Sequence, residues 1–148
     1  MKIRLMVSEE HYAAIADWLT ANGAEIDDGA DLILSEKNVY ASHLIGRNGD
    51  ELYRLKAAEI IRIESFAHDI IAYTDAVECR LSDPLRRLEE MLDPQEFIRV
   101  SNSAIISINH IKSIRPSLSQ KFVLTMSDGA RVDVTRSYYY IFKDTLGI

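Results

Sequence analysis

The chain is short of the residues that anchor most chemistry. It has 148 residues and a single cysteine, Cys79, so no internal disulfide can form. Its four histidines are scattered, and with one thiol no metal-ligand spacing arises. There is no Gly-rich phosphate loop, no nucleophile elbow and no zinc-binding helix motif. Asp50 with Glu51 and Glu89 with Glu90 are adjacent carboxylates, but sequence neighbours point apart and cannot work as a dyad. An enzyme therefore has no anchor here, and no cofactor is expected. Apolar runs reach only four or five residues before a charge interrupts, which excludes a membrane-spanning helix, and Met1-Lys-Ile-Arg4 lacks the apolar stretch of a signal peptide. The expectation is a soluble cytoplasmic protein.

Positive charge is also scarce, at a net -6, yet it is unevenly spread. Residues 1–43 carry three basic and eight acidic side chains. Between 99 and 136 the sign reverses, with Arg99, Lys112, Arg115, Lys121, Arg131 and Arg136 against Asp128 and Asp133. An acidic whole can thus have a basic end.

What is present is core. Hydrophobic residues make up 47% of the chain, ample for one ordinary domain with a short appendage. Lys2 to Val7 reads as a strand, Ser8 as the cap of a helix with Tyr12, Ile15, Ala16 and Leu19 at helical spacing, Gly23 as its end, and Leu32 to Leu34 as a second strand. This predicts a small β-α-β appendage over 1–43. Asp27, Asp28 and Asp31 form an acidic cluster that reads as a solvated loop, because no partner ligands follow.

From the Asn48-Gly49 turn signal onward the pattern predicts a mainly β domain over 44–148, multi-stranded and elongated, with one or two short helices. Leu52 to Leu55, Ile60 to Ser65 and Ile70 to Thr74 read as strands. Asp83-Pro84 predicts a helix start by cap and first-turn proline, with Leu85, Leu88, Met91 and Leu92 on one face and Pro94 beyond its end. Ser113 to Ser119 reads as a loop. Ile98 and Val100 alternate with Arg99 and Ser101 as in a half-buried strand, and Ala104 to Ile108 resume burial. Between them Ser101, Asn102 and Ser103 make a polar knot. Two readings stand side by side: a turn whose side chains bond their own backbone, or a polar tip that meets a partner.

The segment 121–136 is a hairpin whose register can be derived. A two-residue Asp128-Gly129 turn would pair Leu124 with Asp133 and Met126 with Arg131, mixing charge into both faces. A three-residue Ser127-Asp128-Gly129 loop pairs Phe122 with Val134, Leu124 with Val132 and Met126 with Ala130, all apolar, and puts Gly129 where a left-handed residue is usual. Arg136 continues the buried parity, so it must lie past the core at the sheet's end. His68, lying between two strands, is a loop histidine with no nearby nucleophile, and His11, His43 and His110 carry less. Three strand ends thus carry polar tips: His68, the knot with Arg99, and Thr135-Arg136-Ser137. These types suit DNA. Arginine reads guanine, asparagine reads adenine, and hydroxyls and further arginines hold phosphates.

In order, five segments resemble the LytTR-type DNA-binding domain of bacterial transcription regulators, over roughly 51–147. They are Ile61-Arg-Ile-Glu64-Ser65, the Leu85 to Leu92 helix, Phe97-Ile-Arg99-Val-Ser-Asn-Ser103-Ala-Ile-Ile, Asn109-His-Ile111, and Gly129 to Thr135-Arg136. The resemblance implies a transcription regulator whose loops enter successive major grooves of double-stranded DNA. It implies base contacts from His68, Asn102 and Arg136, and phosphate contacts from Arg99, Ser101, Ser103 and Ser137. It further implies repeated promoter sites, a homodimer, no small-molecule substrate, and control by dimerisation or a membrane-protein partner. Some forty N-terminal residues are too few for the receiver domain that many such regulators carry. The chain departs from the pattern at Ser101-Asn102, where a basic or imidazole side chain is common, at Ser107 in place of Asn, and at Thr135 in place of Ser. The alternative expectation is a protein-interaction module on the same fold, with the acidic appendage as its active surface.

Overall fold

In the computed structural model, which describes all of residues 1–148, the chain divides into two units, Met1–Ala41 and Ser42–Ile148. The first is a parallel sheet with β1 (Lys2–Met6) between β2 (Glu25–Ile26) and β3 (Leu32–Ser35), and α1 (Glu9–Ala21) as crossover. Parallel neighbours need such a crossover, because a tight turn cannot reverse the chain twice. Ser8 occupies the cap position of α1, but its hydroxyl bonds no backbone N–H there. The Glu36 carboxylate instead accepts the Ser8 backbone N–H at 2.8 Å and lies 2.5 Å from His11 Nδ1. Those two bonds, the Ser8 amide first, hold Glu36 below the usual carboxylate range. The Asp27 carboxylate accepts the Gly29 backbone N–H, which lowers its pKa in the same way.

The second unit is built on a seven-stranded antiparallel sheet. Its strands are β4 (His43–Asn48), β5 (Glu51–Lys56), β6 (Arg62–Phe66), β7 (Asp69–Tyr73), β8 (Glu78–Leu81), β9 (Phe97–Ser101) and β10 (Ala104–Ser107), in the order β5-β4-β8-β7-β6-β10-β9. A three-stranded antiparallel sheet follows, β11 (Ile111–Ser117), β12 (Lys121–Met126) and β13 (Arg131–Val134). Two short helices accompany them, α2 (Leu85–Met91) and α3 (Tyr139–Leu146).

The expected hairpin register is the one found. Phe122 pairs with Val134, Leu124 with Val132, the Met126 backbone N–H donates to the Ala130 carbonyl at 2.8 Å, and Gly129 has φ of +85°. Its apolar row joins Ile98, Val100, Ala104 and Ile106 in one buried cluster, closed by Phe142 of α3. On the opposite face of β9 and β10 lies α2, burying Leu85, Leu88 and Met91.

Several expectations need correction. β9 is not half-buried: Phe97 and Ser101 are as enclosed as Ile98, because α2 covers one face and the second sheet the other. Ser113 to Ser119 is not a loop. Residues 111–117 are an edge strand, where Pro116 is tolerated because its missing donor faces no partner strand, and the turn is confined to 118–120. Pro84, not Asp83, takes the cap position of α2, and the Asp83 carboxylate pairs with Arg87 at 3.4 Å. Strands β2, β4 and β8 and helix α3 had no forecast.

Gly46 on β4 lies against Cys79 on β8, whose burial pushes its thiol up. A Cβ at position 46 would overlap the Cys79 Cβ. Gly46→Ala should therefore lower unfolding stability in urea by roughly 1–3 kcal/mol. Adding Cys79→Ala should not restore it, since the clashing carbon remains.

Candidate nucleic-acid interface

Three polar tips emerge at one end of the second unit's large sheet, and strand register brings them together. β6 and β7 pair down to Phe66 and Asp69, leaving Ala67 and His68 as a two-residue turn. Both have left-handed backbone, φ +49° and +74°. This is the geometry a tight hairpin demands, and here it is filled by side chains that strain against it rather than by glycine. His68 is exposed and makes no hydrogen bond or ion pair, and Phe66 beside it is 74% exposed.

The knot lies on the neighbouring strand. Ala104 pairs with Glu64, and the Ser65 backbone N–H donates to the Ser103 carbonyl at 2.8 Å. Both readings of the knot describe part of it. Ser101 is buried, and its Oγ accepts the Ser103 N–H at 3.2 Å and lies 3.3 Å from Ser103 Oγ, as a self-bonded turn would have it. Asn102 and Ser103 are nonetheless exposed at the tip.

Arg99 organises this turn. Its Nε donates to the Ser101 carbonyl at 2.7 Å, Nη2 to the Asn102 carbonyl at 2.6 Å, and Nη1 to the Glu89 carboxylate of α2 at 2.8 Å. The guanidinium fork suits this, since its donors are fixed in one plane. The side chain is 15% exposed.

The third tip leaves β13. The Thr135 N–H donates to the Val100 carbonyl at 2.9 Å, and residues Arg136–Tyr138 then turn as a short 3-10 helix. The Tyr138 hydroxyl donates to Asn102 Oδ1 at 3.3 Å, so the third tip orients the second. Arg136 and Ser137 are exposed, and Arg136 has no partner. The closed loop of this hairpin is tied down at the far end, where Asp128 pairs with Arg62, and His110 bridges Ser127 Oγ at 2.9 Å and the Ala58 carbonyl at 2.8 Å. Arg136 thus springs from the hairpin's open end.

Two contributors escaped sequence reasoning. Glu89 sits ten residues from Arg99, and Tyr138 sits in a run of tyrosines with no alternation to mark it. No three His, Cys, Asp or Glu side chains gather as a metal site, and no helix is long and apolar enough to cross a membrane. What the arrangement offers is an exposed imidazole, an amide with free N–H donors and an unpaired guanidinium, side by side on a rigid edge.

The pattern of the LytTr DNA-binding domain matches residues 50–147. The transcriptional regulatory protein LytR of Staphylococcus aureus (strain bovine RF122 / ET3-1) is 27% identical over 129 residues, 86% of this chain and 52% of that protein. The sensory transduction protein LytT of Bacillus subtilis (strain 168) is 28% identical over 120 residues, 80% of this chain and 50% of that protein. The chain spans about half the length of these curated relatives. A solved LytTr DNA-binding domain from Bacillus cereus superimposes with a TM-score of 0.71 at 27% identity, covering 73% of this chain and 99% of that one.

The ties of Arg99 predict a local effect. Arg99→Ala should speed amide exchange at Ser65 and Ser103 on the order of tenfold, the loss of one or two charge-assisted bonds. Amides of the β12–β13 hairpin should be unchanged in the same NMR exchange series.

Proposed function

We propose that this chain, which belongs to the LytTr DNA-binding domain family, is a transcription regulator that reads specific sites in double-stranded DNA. The observation that carries this reading is the meeting of His68, Asn102 and Arg136 at one end of the sheet, with His68 and Arg136 free of intramolecular partners. In this reading the Ala67-His68 turn and the Asn102 and Arg136 tips enter successive major grooves, where an imidazole, an amide and a guanidinium can each address base edges. Ser103 and Ser137 hold phosphates beside them. Buried Ser101 and the Arg99 fork shape the turn, and Arg99 adds positive charge behind it. The protein acts as a homodimer on repeated promoter sites. The first unit, with its excess of acids, serves as the dimerisation or regulatory element, the point at which a membrane-protein partner would act.

A second reading is a protein-interaction module on the same fold. The net charge of -6, concentrated in residues 1–43, favours it. It predicts no salt-dependent retention on any DNA pool and capture of one specific polypeptide, whereas a regulator enriches one site from random duplexes.

With the selected site in hand, Arg136→Ala should cost about 1–3 kcal/mol in gel-shift affinity and relax preference at one base position. Binding equal to wild type at that site would reject the role given to Arg136. Glu89→Gln should tighten binding to selected and scrambled duplexes alike, because it removes the carboxylate that competes with phosphate for Arg99. Unchanged or weaker binding by that variant would leave Arg99 a purely structural role.

A further inference from the structure

The seven-stranded sheet has one face only half covered. Over β6, β10 and β9 it carries the second sheet, which buries Ala104 and Ile106. Strand register identifies what stands on the same face farther along. Arg62 and Glu64 on β6 pair with Tyr73 and Ile71 on β7, these with Glu78 and Arg80 on β8, and Arg80 with Arg47 on β4. Arg47 then pairs with Leu52, Ile45 with Arg54, and His43 with Lys56 on β5. Directly paired residues share a face, so Arg47, Arg54, Lys56 and Arg80 all stand on the part the second sheet leaves open. All four are exposed.

This is an unusual concentration for a chain of net charge -6. The acids of β8 and β7 on the same stretch are Glu78 and Asp69, and Asp69 pairs with Arg80 at 3.2 Å. Arg47 has no partner, Lys56 has none, and Arg54 meets only the ring of His43 at 3.2 Å. Arg47 and Arg80 are directly opposed across adjacent strands; Asp69 partly offsets Arg80, and Arg47 is left to take an anion. The two arginines share with Glu78 the lining of an open cleft of about 430 Å³, two cations to one carboxylate.

The height of these residues matters as much as their sign. Arg80 is level with Ile71, and Asp69 stands two residues nearer the hairpin tip. The β4–β5 ribbon runs past β8 in the same direction, so Arg54 is two residues and Lys56 four residues beyond the Arg47 level. At about 3.3 Å per residue, Lys56 rises roughly 13 Å and the His68 turn roughly 10 Å above that common level. The ribbon and the reading hairpin thus reach similar heights, separated by three strand spacings, about 14 Å.

We propose that the open face of β4, β5 and β8 is a second DNA-backbone contact, in which Arg47, Arg54, Lys56 and Arg80 hold phosphates flanking the bases read at the hairpin end. This rests on the DNA-binding reading and extends it. Arg47 and all of β4 precede residues 50–147, while Arg54, Lys56 and Arg80 lie within them, so the family match spans only part of this contact. The face contributes affinity without sequence information, since phosphates are the same at every site.

The test is the salt dependence of binding, with the full chain and a fluorescent duplex carrying the selected site, titrated by anisotropy across a potassium chloride series. Arg47→Gln and Lys56→Gln should each flatten the slope of log affinity against log salt by up to about 0.9, and the quadruple Arg47→Gln, Arg54→Gln, Lys56→Gln, Arg80→Gln variant by more. The ratio of selected to scrambled affinity should stay at the wild-type value. Circular dichroism melts matching wild type would show that the fold is kept, as exposed positions predict. If the wild type binds and the variants keep its slope, the second contact is overturned while the reading end stands. Loss of the selected-to-scrambled ratio along with the slope would also overturn it, by assigning these residues to base reading. No salt-dependent binding by the wild type would overturn both the contact and the regulator reading.

Discussion

The burial of β9 and β10 on both faces is the constraint on which the second unit depends. Residues 97–101 and 104–107 lie between α2 and the second sheet, so nothing polar can leave them sideways. Their connection must therefore emerge at the end of the sheet, and Asn102 and Ser103 do so. The one charged side chain within the pair, Arg99, cannot be left unsatisfied in such a place. Glu89 and two turn carbonyls accept its donors, and the same bonds that make its burial tolerable give the turn its shape. Stability and site geometry share these atoms.

The second sheet converts this arrangement into a surface with more than one tip. Its closed end is held by Asp128 on Arg62, and the Arg62 guanidinium in turn stacks 3.7 Å over the Tyr73 ring. An anchored loop fixes the slide of the whole hairpin along the large sheet. Its open end can then meet β9 at only one place, where Thr135 bonds Val100 and Tyr138 reaches Asn102. Arg136 is placed by the buried row of its hairpin and by the Thr135 bond to Val100, with the Arg62 pair holding the opposite end. That is how a buried register, rather than a loop, sets the spacing between side chains offered to a ligand.

The parts legible in the sequence were those where local pattern and packing agree. The β12–β13 register followed from apolar pairing and Gly129 because both faces obey a simple rule, apolar inside and charged outside. β11 did not, since an edge strand can hold serines and Pro116 without losing a ladder partner on its outer side. β4 and β8 were hidden for a related reason: with one face bearing Arg47 and Arg80, their buried residues are only Leu44 and Gly46 on one and Cys79 and Leu81 on the other, none of them β-branched. Helix α3 contributes Phe142 from a tyrosine-rich run that has no clear period. Of the candidate site, parity located Arg136 and the resemblance supplied the company it keeps. Arg99 was legible as a cation but not as an organiser, because its partners include Glu89 on a different element.

The departure at Ser101-Asn102 bears on how charge is distributed in the proposed complex. Phosphate attraction is sequence-independent and raises affinity for every duplex equally, whereas base contacts raise it for one. A cation in the knot would contribute to the first term beside the groups that supply the second. Here Ser101 is buried and neutral, Asn102 is neutral, and the Arg99 charge behind them is partly compensated by Glu89. Apart from Arg136, positive charge without a partner lies on the open face of β4 and β5, four to five strands from the knot, roughly 19–24 Å by strand spacing. Separating the two terms in space lets each be altered with little effect on the other. The cost is that, Arg136 aside, the knot must discriminate through the hydrogen-bond geometry of neutral groups, and that demands a well-held turn. The bonds from Arg99, from Ser65 and from Tyr138 converge on the three residues where that rigidity is needed.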